Sequence, residues 1–291
     1  MPKNSMPFKP PSPLYPMLYE GAVRQALSED FAGVGDITTD AIVSLDHAAA
    51  AHIVARAPGR IAGLDVAAFA FHFLDAGSKF EIRIHDAEDA EAGDTLAIVR
   101  GLARPILSAE RTALNFLTHL SGIATATRDI VEKVSSYSVS VVCTRKTTPG
   151  LRTLEKYAVR AGGGSNHRFG LNDAVLIKDN HILIAGGVQE AVRRVRGQVG
   201  HLVKIEVEID TLDQLETALA EKVDAVLFDN MPPEMLAEAV RTVNGRAVTE
   251  ASGGVTPQTA EAVAATGVDL ISVGWVTHSA PALDISLDFA V

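Results

Sequence analysis

The chain has 291 residues, a formal net charge of −10 and hydrophobic residues at 47% of its length, which allows a sizeable core and excludes wholesale disorder. No apolar run approaches the roughly 18 residues of a membrane-spanning helix, and the acidic balance argues against nucleic-acid binding. The single cysteine, Cys143, excludes an internal disulfide, and because no secretory signal is visible we expect a cytoplasmic protein. A small anionic substrate in a local basic pocket is still compatible with an acidic chain.

The N-terminal part of the chain predicts a mobile arm and then a small α+β domain. Residues 1–13 contain several prolines and few large apolar side chains, which is typical of a mobile arm. Strand patterns follow at 51–57, 80–85 and 95–99, with helical patterns at 14–27 and 66–74. Pro105 opens a long helical region, in which Ser121-Gly122 marks the place for a bend or break.

Beyond Ser138 the pattern changes to short, buried-looking strands that alternate with amphipathic helices. Alternation over about 150 residues predicts a parallel sheet, either closed as a barrel or open and doubly wound. Polar or glycine residues stand at the C-terminal ends of six expected strands, and in a barrel all these ends meet on one face. We therefore favour an α/β barrel with six strands and room for a seventh. The expected strands cover 139–143, 174–177, 203–209, 225–228, 247–249 and 270–273.

Basic residues gather at the expected strand ends of this otherwise acidic chain. Converging cations indicate an anionic ligand, because arginine matches a carboxylate or phosphate with two hydrogen bonds and lysine supplies a point charge. A surface ion pair is the alternative explanation for each of these residues taken singly. The set comprises Arg145, Lys146, His167, Arg168 and Lys178, with three successive glycines at 162–164 and Arg111 further upstream.

An acidic pair, Glu208 and Asp229, ends two further strands. An inward carboxylate at the mouth of a barrel is costly unless it meets cations or a metal ion. Two carboxylates at neighbouring strand ends suit Mg²⁺, which keeps several waters and bridges to substrate phosphates. Buried salt bridges to the lysines are the alternative explanation.

A glycine-rich turn, Ser252-Gly253-Gly254, leads into a helix that is expected to begin near Thr256-Pro257. Backbone N–H groups at such a helix start bind phosphate, and barrels often hold a phosphate at their later loops. Gly274 and His278 further along could complete this pocket. Close packing alone is the alternative reason for the glycines.

Together these motifs resemble the quinolinate phosphoribosyltransferase family. The resemblance covers nearly the whole chain beyond the N-terminal arm, and its motifs occur in order across both expected domains. They lie at 29–30, 35–39, 110–115, 120–125, 144–147, 162–168, 177–181, 206–208, 228–230, 252–254 and 277–279.

The resemblance implies an N-terminal α/β sandwich domain over residues 14–118 and a TIM-like barrel of seven strands over residues 119–291, whose C-terminal tail could pack back on the sandwich. It implies a homodimer with shared active sites, or a larger assembly of dimers. The implied reaction belongs to NAD biosynthesis. It condenses quinolinate with phosphoribosyl pyrophosphate to give nicotinate mononucleotide, pyrophosphate and carbon dioxide, with Mg²⁺ as the cofactor.

The resemblance also implies roles for individual residues, all numbered as in this sequence. Quinolinate would be bound by Arg145, Lys146, His167, Arg168 and Lys178, with Arg111 contributed by the neighbouring subunit. Phosphoribosyl pyrophosphate would be bound by Lys146, Lys178, Glu208, Asp229, Ser252, Gly253, Gly254, Gly274 and His278. The catalytic residues would be Lys146, Lys178, Glu208 and Asp229, of which Glu208 and Asp229 would also hold Mg²⁺ through water.

Three other functions fit part of the sequence. A lyase barrel could use Lys178 as a Schiff-base nucleophile, although the arginines and the phosphate turn argue against it. A related phosphoribosyltransferase acting on nicotinate or another pyridine acid would not need both Arg145 and Arg168. A non-enzymatic binding protein of the same fold would have no use for the acidic pair.

Overall fold

The computed structural model describes residues 8–289, and residues 1–7 of the expected N-terminal arm lie outside the described residues. Two compact units make up the described chain. The sheet unit comprises residues 8–128, 147–163 and 275–289, and the barrel unit comprises residues 129–146 and 164–274. Each unit is therefore built from segments that are separate in sequence, whereas the sequence pattern suggests a single division after residue 118.

The helices of the described chain follow a short 3₁₀ turn at Pro16–Leu18, so the helix expected over 14–27 begins later and ends later. The helices are α1 (Glu20–Phe31), α2 (Ile37–Ile42), α3 (Leu64–Leu74), α4 (Ala103–Lys133), α5 (Arg152–Ala161), α6 (Asp179–Ala185), α7 (Val188–Arg196), α8 (Leu212–Ala220), α9 (Pro233–Val243), α10 (Ala260–Ala264) and α11 (Trp275–His278). None of them is both long enough and apolar enough to cross a membrane.

The strands are short, as the sequence pattern predicts. They are β1 (Ala48–Ala55), β2 (Gly59–Arg60), β3 (Lys79–Ile82), β4 (Asp89–Ala90), β5 (Thr95–Leu102), β6 (Ser140–Val142), β7 (Val175–Ile177), β8 (Ile205–Ile209), β9 (Ala225–Asp229), β10 (Val248–Ser252), β11 (Leu270–Ser272) and β12 (Ile285–Phe289).

The sheet unit is built on four antiparallel strands in the order β12-β1-β5-β3, with β2 and β4 forming a separate small pair. The C-terminal strand β12 lies beside β1, with Ala51 opposite Phe289. Apolar side chains of the sheet and of α3 form the core of this unit, where Ile53, Phe71 and Leu96 are almost completely buried. Burial of such side chains is the main source of stability for a unit of this kind.

Helix α4 is a continuous helix of 31 residues, so a break at Ser121-Gly122 is wrong. The glycine serves close packing instead. A Cβ on Gly122 would lie 2.1 Å from the carbonyl oxygen of Pro281, which only glycine avoids. Ser121 Oγ accepts the backbone N–H of Ala62 at 3.1 Å, so both residues anchor α4 to segments of the same unit.

The barrel unit contains six parallel strands in the order β6-β11-β10-β9-β8-β7, with helices between them in sequence. The α/β barrel-like arrangement is confirmed, but the seventh strand is reduced to a single parallel bridge between Val142 and Ser165. At this bridge, Ser165 N–H donates to Val141 and Cys143 N–H donates to Ser165. The glycines at 162–164 have no side chains that could pack in a strand, which limits pairing to this one point.

Candidate active site

A cavity of about 530 Å³ opens at the C-terminal ends of the barrel-unit strands, and its size is typical of a small-molecule site. Parallel strands bring these ends to one edge, which is why residues far apart in sequence meet there. Ten of the predicted site residues line the cavity. They are Arg145, Lys146, His167, Arg168, Lys178, Glu208, Asp229, Ser252, Gly253 and Gly254.

Three other predicted residues are not part of this lining. Gly274 follows β11 in the barrel unit, and Arg111 and His278 lie in the sheet unit, on α4 and α11. Both Arg111 and His278 are exposed on their own unit. Their predicted roles therefore remain predictions.

Two arginines form the most basic part of the cavity. The Nε atom of Arg145 is buried and has no hydrogen-bond partner among residues 8–289. Arg168 donates from Nη1 to the carbonyl of Ala174 at 3.1 Å. Burial, together with the charge of Arg145, lowers the pKa of Arg168, although arginine keeps its charge at neutral pH. Two neighbouring guanidinium groups with a spare buried donor form a site that is ready for an anion.

The acidic pair, Glu208 and Asp229, also lines the cavity. Glu208 lies on β8 and is buried, and its Oε2 atom is 2.7 Å from Lys178 Nζ. The salt bridge that the sequence offered as an alternative explanation is thus formed at Glu208. Asp229 ends β9 and accepts a hydrogen bond from Asn230 Nδ2 at 2.8 Å. The cavity consequently presents carboxylate oxygens beside a lysine ammonium group.

The glycine turn after β10 is held against the end of β9. Gly253 has a φ of +98°, and a Cβ placed on it would be 2.1 Å from Asn230 Oδ1. Asn230 itself is left-handed, with a φ of 54°, and its backbone N–H donates to the carbonyl of Ser252 at 2.9 Å. A left-handed backbone and an absent side chain leave room for a ligand to approach the backbone of this turn closely, and such turns commonly bind anions through their N–H groups.

A buried acidic cluster was not foreseen from the sequence. Nε2 of His167 lies 3.0 Å from Oε2 of Glu206 and 3.5 Å from Oε1 of Glu250. Glu206 alternates with Glu208 along β8, which puts the two side chains on the same face of the strand, whereas Glu250 has no predicted role. The available signal was a carboxylate at 250 inside a strand of otherwise small residues. The remaining lining residues without a predicted role are Thr144, Leu176, Leu227, Asn230 and Ser272.

Comparison with known proteins places the whole chain in one family. The family model "Quinolinate phosphoribosyl transferase, N-terminal domain" matches residues 36–121, and the model for the C-terminal domain of the same family matches residues 123–288. The two models together span most of the chain, including the candidate site.

Individual relatives agree with these models. The nicotinate-nucleotide pyrophosphorylase [carboxylating] of Mycobacterium leprae is 45% identical over 91% of this chain and 95% of its own. The probable nicotinate-nucleotide pyrophosphorylase [carboxylating] of Bacillus subtilis is 44% identical over 88% of each chain. The solved structure of the nicotinate-nucleotide pyrophosphorylase from Francisella tularensis has a TM-score of 0.91 and 39% identity, and covers 96% of this chain and 98% of that one.

The glycine turn gives the first prediction. Gly253→Ala combines a left-handed backbone with a clash against Asn230, the residue that holds Asp229, whereas Gly254→Ala is left-handed but meets nothing within 4 Å. We expect Gly253→Ala to lower kcat/KM for the phosphorylated substrate at least tenfold more than Gly254→Ala does, roughly the effect of a 1 Å misplacement. Steady-state kinetics of the two variants measures the difference, and equal losses would contradict the packing explanation.

Proposed function

Because this chain belongs to the quinolinate phosphoribosyltransferase family, we propose that the cavity at its strand ends binds quinolinate and phosphoribosyl pyrophosphate side by side. The enzyme condenses these two substrates and releases nicotinate mononucleotide, pyrophosphate and carbon dioxide. Transfer needs no covalent nucleophile on the protein, so positioning and charge are what the chain must supply.

The proposal of a quinolinate site rests on the Nε atom of Arg145, which has no hydrogen-bond partner among the described residues. A buried donor without a partner costs about 1–3 kcal/mol, and a ligand that supplies an acceptor for the Nε–H group would offset this cost. Quinolinate has two carboxylates, and Arg145 with Arg168 offers two guanidinium groups. Lys146 and Lys178 add positive charge to the same cavity.

The glycine turn suits the 5′-phosphate of phosphoribosyl pyrophosphate. Gly253 and Gly254 leave the backbone of the turn accessible, and Ser252 adds a hydroxyl at the end of β10. We propose that Gly274 and His278 also bind this phosphate, as the sequence predicts. Lys146 and Lys178 are proposed to face the pyrophosphate, whose negative charge grows as it leaves.

The acidic pair is proposed to stabilise the transition state. As the bond from C1 of the ribose to pyrophosphate breaks, positive oxocarbenium character develops at the sugar. Glu208 and Asp229 are carboxylates at the end of the cavity where that charge would form, and a fixed carboxylate stabilises it without reorganisation. The pyridine nitrogen of quinolinate then forms the new bond to C1.

Loss of carbon dioxide is proposed to follow nucleotide formation. Once its nitrogen is alkylated, the pyridine ring is positively charged and can stabilise the electron pair that the departing carboxylate leaves at C2. A proton then replaces the carboxylate, which balances the reaction. Arg145, Arg168 and the lysines would support the same negative charge from outside the ring.

The carboxylate oxygens of the acidic pair are donor atoms of the kind that Mg²⁺ binds. It prefers oxygen ligands, keeps several waters and commonly uses one or two carboxylates with substrate phosphates. Within residues 8–289 neither Glu208 nor Asp229 belongs to a cluster of three metal-binding side chains, so both would hold the ion together with water or substrate oxygens. When bound, the ion would offset charge on the leaving pyrophosphate.

The assembly and location of the protein are also proposals. We propose a homodimer in which Arg111, exposed on α4, enters the active site of the neighbouring subunit. A cytoplasmic location agrees with a single, buried cysteine, because a reducing compartment keeps thiols unpaired.

The substrate assignment is tested by a coupled assay with phosphoribosyl pyrophosphate and Mg²⁺. Quinolinate should give mononucleotide and carbon dioxide in equal amounts, whereas nicotinate, with one carboxylate, should react at least about a hundredfold more slowly because one guanidinium group stays unpaired. Omitting Mg²⁺ should lower the rate with quinolinate.

Faster reaction with nicotinate would keep the phosphate site but overturn the dicarboxylate site. Carbon dioxide released from quinolinate in the absence of phosphoribosyl pyrophosphate would overturn the proposed order of the two steps. If the folded protein reacts with neither acid, the proposed function is wrong.

The shared site is tested by mixing two inactive variants. Arg111→Ala and Lys178→Ala chains should each be inactive alone, but a mixed dimer would keep one intact site. Random reassociation should therefore restore about a quarter of the wild-type activity. Mixed dimers verified by mass spectrometry that stay inactive would show that Arg111 acts within its own subunit, and an active Arg111→Ala chain would show that Arg111 has no role in the site.

A further inference from the structure

Both ring nitrogens of His167 are already engaged within the barrel unit. Nδ1 accepts the backbone N–H of Arg168 at 2.7 Å, so this nitrogen carries no proton. Nε2 lies 3.0 Å from Glu206 Oε2, which makes it the protonated nitrogen and the donor. The ring is therefore the neutral Nε2–H tautomer, and neither nitrogen is left to meet a substrate carboxylate.

The acidic side of this arrangement is closed off from water. Glu206 lies on β8 and Glu250 on β10, with β9 between them. Glu250 is only 1% exposed, and burial together with the nearby Glu206 carboxylate raises its pKa. Both carboxyl groups therefore lie next to the imidazole ring and away from solvent, and the Glu206 carboxyl group is within hydrogen-bond distance of Nε2–H.

The Nδ1 side of the His167 ring holds the backbone of the next residue, Arg168. Arg168 follows a run of three glycines and one polar segment, a stretch that has little conformational preference of its own. Its backbone N–H is fixed by His167, and its guanidinium group is fixed by the carbonyl of Ala174. The direction in which Arg168 points into the cavity therefore depends on the orientation of the imidazole ring.

We propose that Glu206 is a positioning residue that holds His167 as its Nε2–H tautomer, with the Glu250 carboxyl group beside this pair, and that His167 in turn directs Arg168 at a carboxylate of the pyridine substrate. This proposal rests on the proposed quinolinate site. It changes the predicted role of His167 from a charge partner of quinolinate to a support for Arg168. The arrangement parallels the way in which carboxylates orient histidines at other functional sites.

The experiment compares three variants of the full chain in steady-state kinetics. Glu206→Ala removes the acceptor of Nε2–H, and we expect KM for quinolinate to rise at least about tenfold while KM for phosphoribosyl pyrophosphate changes less than about twofold. Glu206→Gln keeps an acceptor oxygen, so it should recover most of this loss. Glu216→Ala, which removes an exposed glutamate of α8 in the same unit, serves as the control and should change neither constant.

The tautomer is read separately by ¹⁵N NMR of histidine-labelled protein, with His167→Gln used to assign the signal. Wild type should show one protonated and one unprotonated ring nitrogen at neutral pH, and Glu206→Ala should alter this pattern. Two protonated nitrogens in wild type, or equal changes of both KM values in Glu206→Ala, would overturn the proposal. The NMR result does not depend on turnover, so it distinguishes this failure from failure of the quinolinate assignment.

Discussion

The candidate site depends on one constraint, the buried Nε atom of Arg145, which has no hydrogen-bond partner among residues 8–289. Arg145 stands at the end of β6 with its Nε atom enclosed, and Arg168 brings a second guanidinium group into the same cavity. Like charges in a confined space repel, and an unpaired buried donor is costly, so an anion that accepts hydrogen bonds from both arginines would stabilise this part of the cavity. In the proposed function, that anion is quinolinate.

The neighbouring strands and turns place further charged groups around the same cavity. Parallel strands deliver Lys178, Glu208 and Asp229 to one edge, where positive and negative groups can face different parts of two substrates. Gly253 lies close against Asn230, and Asn230 donates a hydrogen bond to Asp229, so the glycine turn and the acidic pair are linked through one residue. A catalyst that works by positioning and charge, without a covalent intermediate on the protein, gains from such connections.

Much of the barrel unit and of its cavity could be predicted from the sequence, because these features depend on short stretches of the chain. Short apolar runs followed by polar residues predicted the barrel-unit strands and ten residues of the cavity. Tertiary contacts decided the rest. Gly122 lies inside a continuous α4 and is required by the close approach of Pro281, and the expected seventh strand is present only as a single bridge at Ser165. The role of Glu250 could not be predicted because His167, which lies beside it, comes from a loop far away along the chain.

The central claim is that the guanidinium group of Arg145, whose Nε atom is buried, recognises a carboxylate of quinolinate. The most direct measurement is kcat/KM for quinolinate, at saturating phosphoribosyl pyrophosphate, in Arg145→Lys. The exposed Arg246→Lys of the same unit provides a matched control. Losing a charge-assisted hydrogen bond of about 1.5–3 kcal/mol predicts a decrease of roughly 10- to 150-fold for Arg145→Lys and no change for the control. A folded Arg145→Lys enzyme with wild-type kcat/KM for quinolinate would contradict the claim.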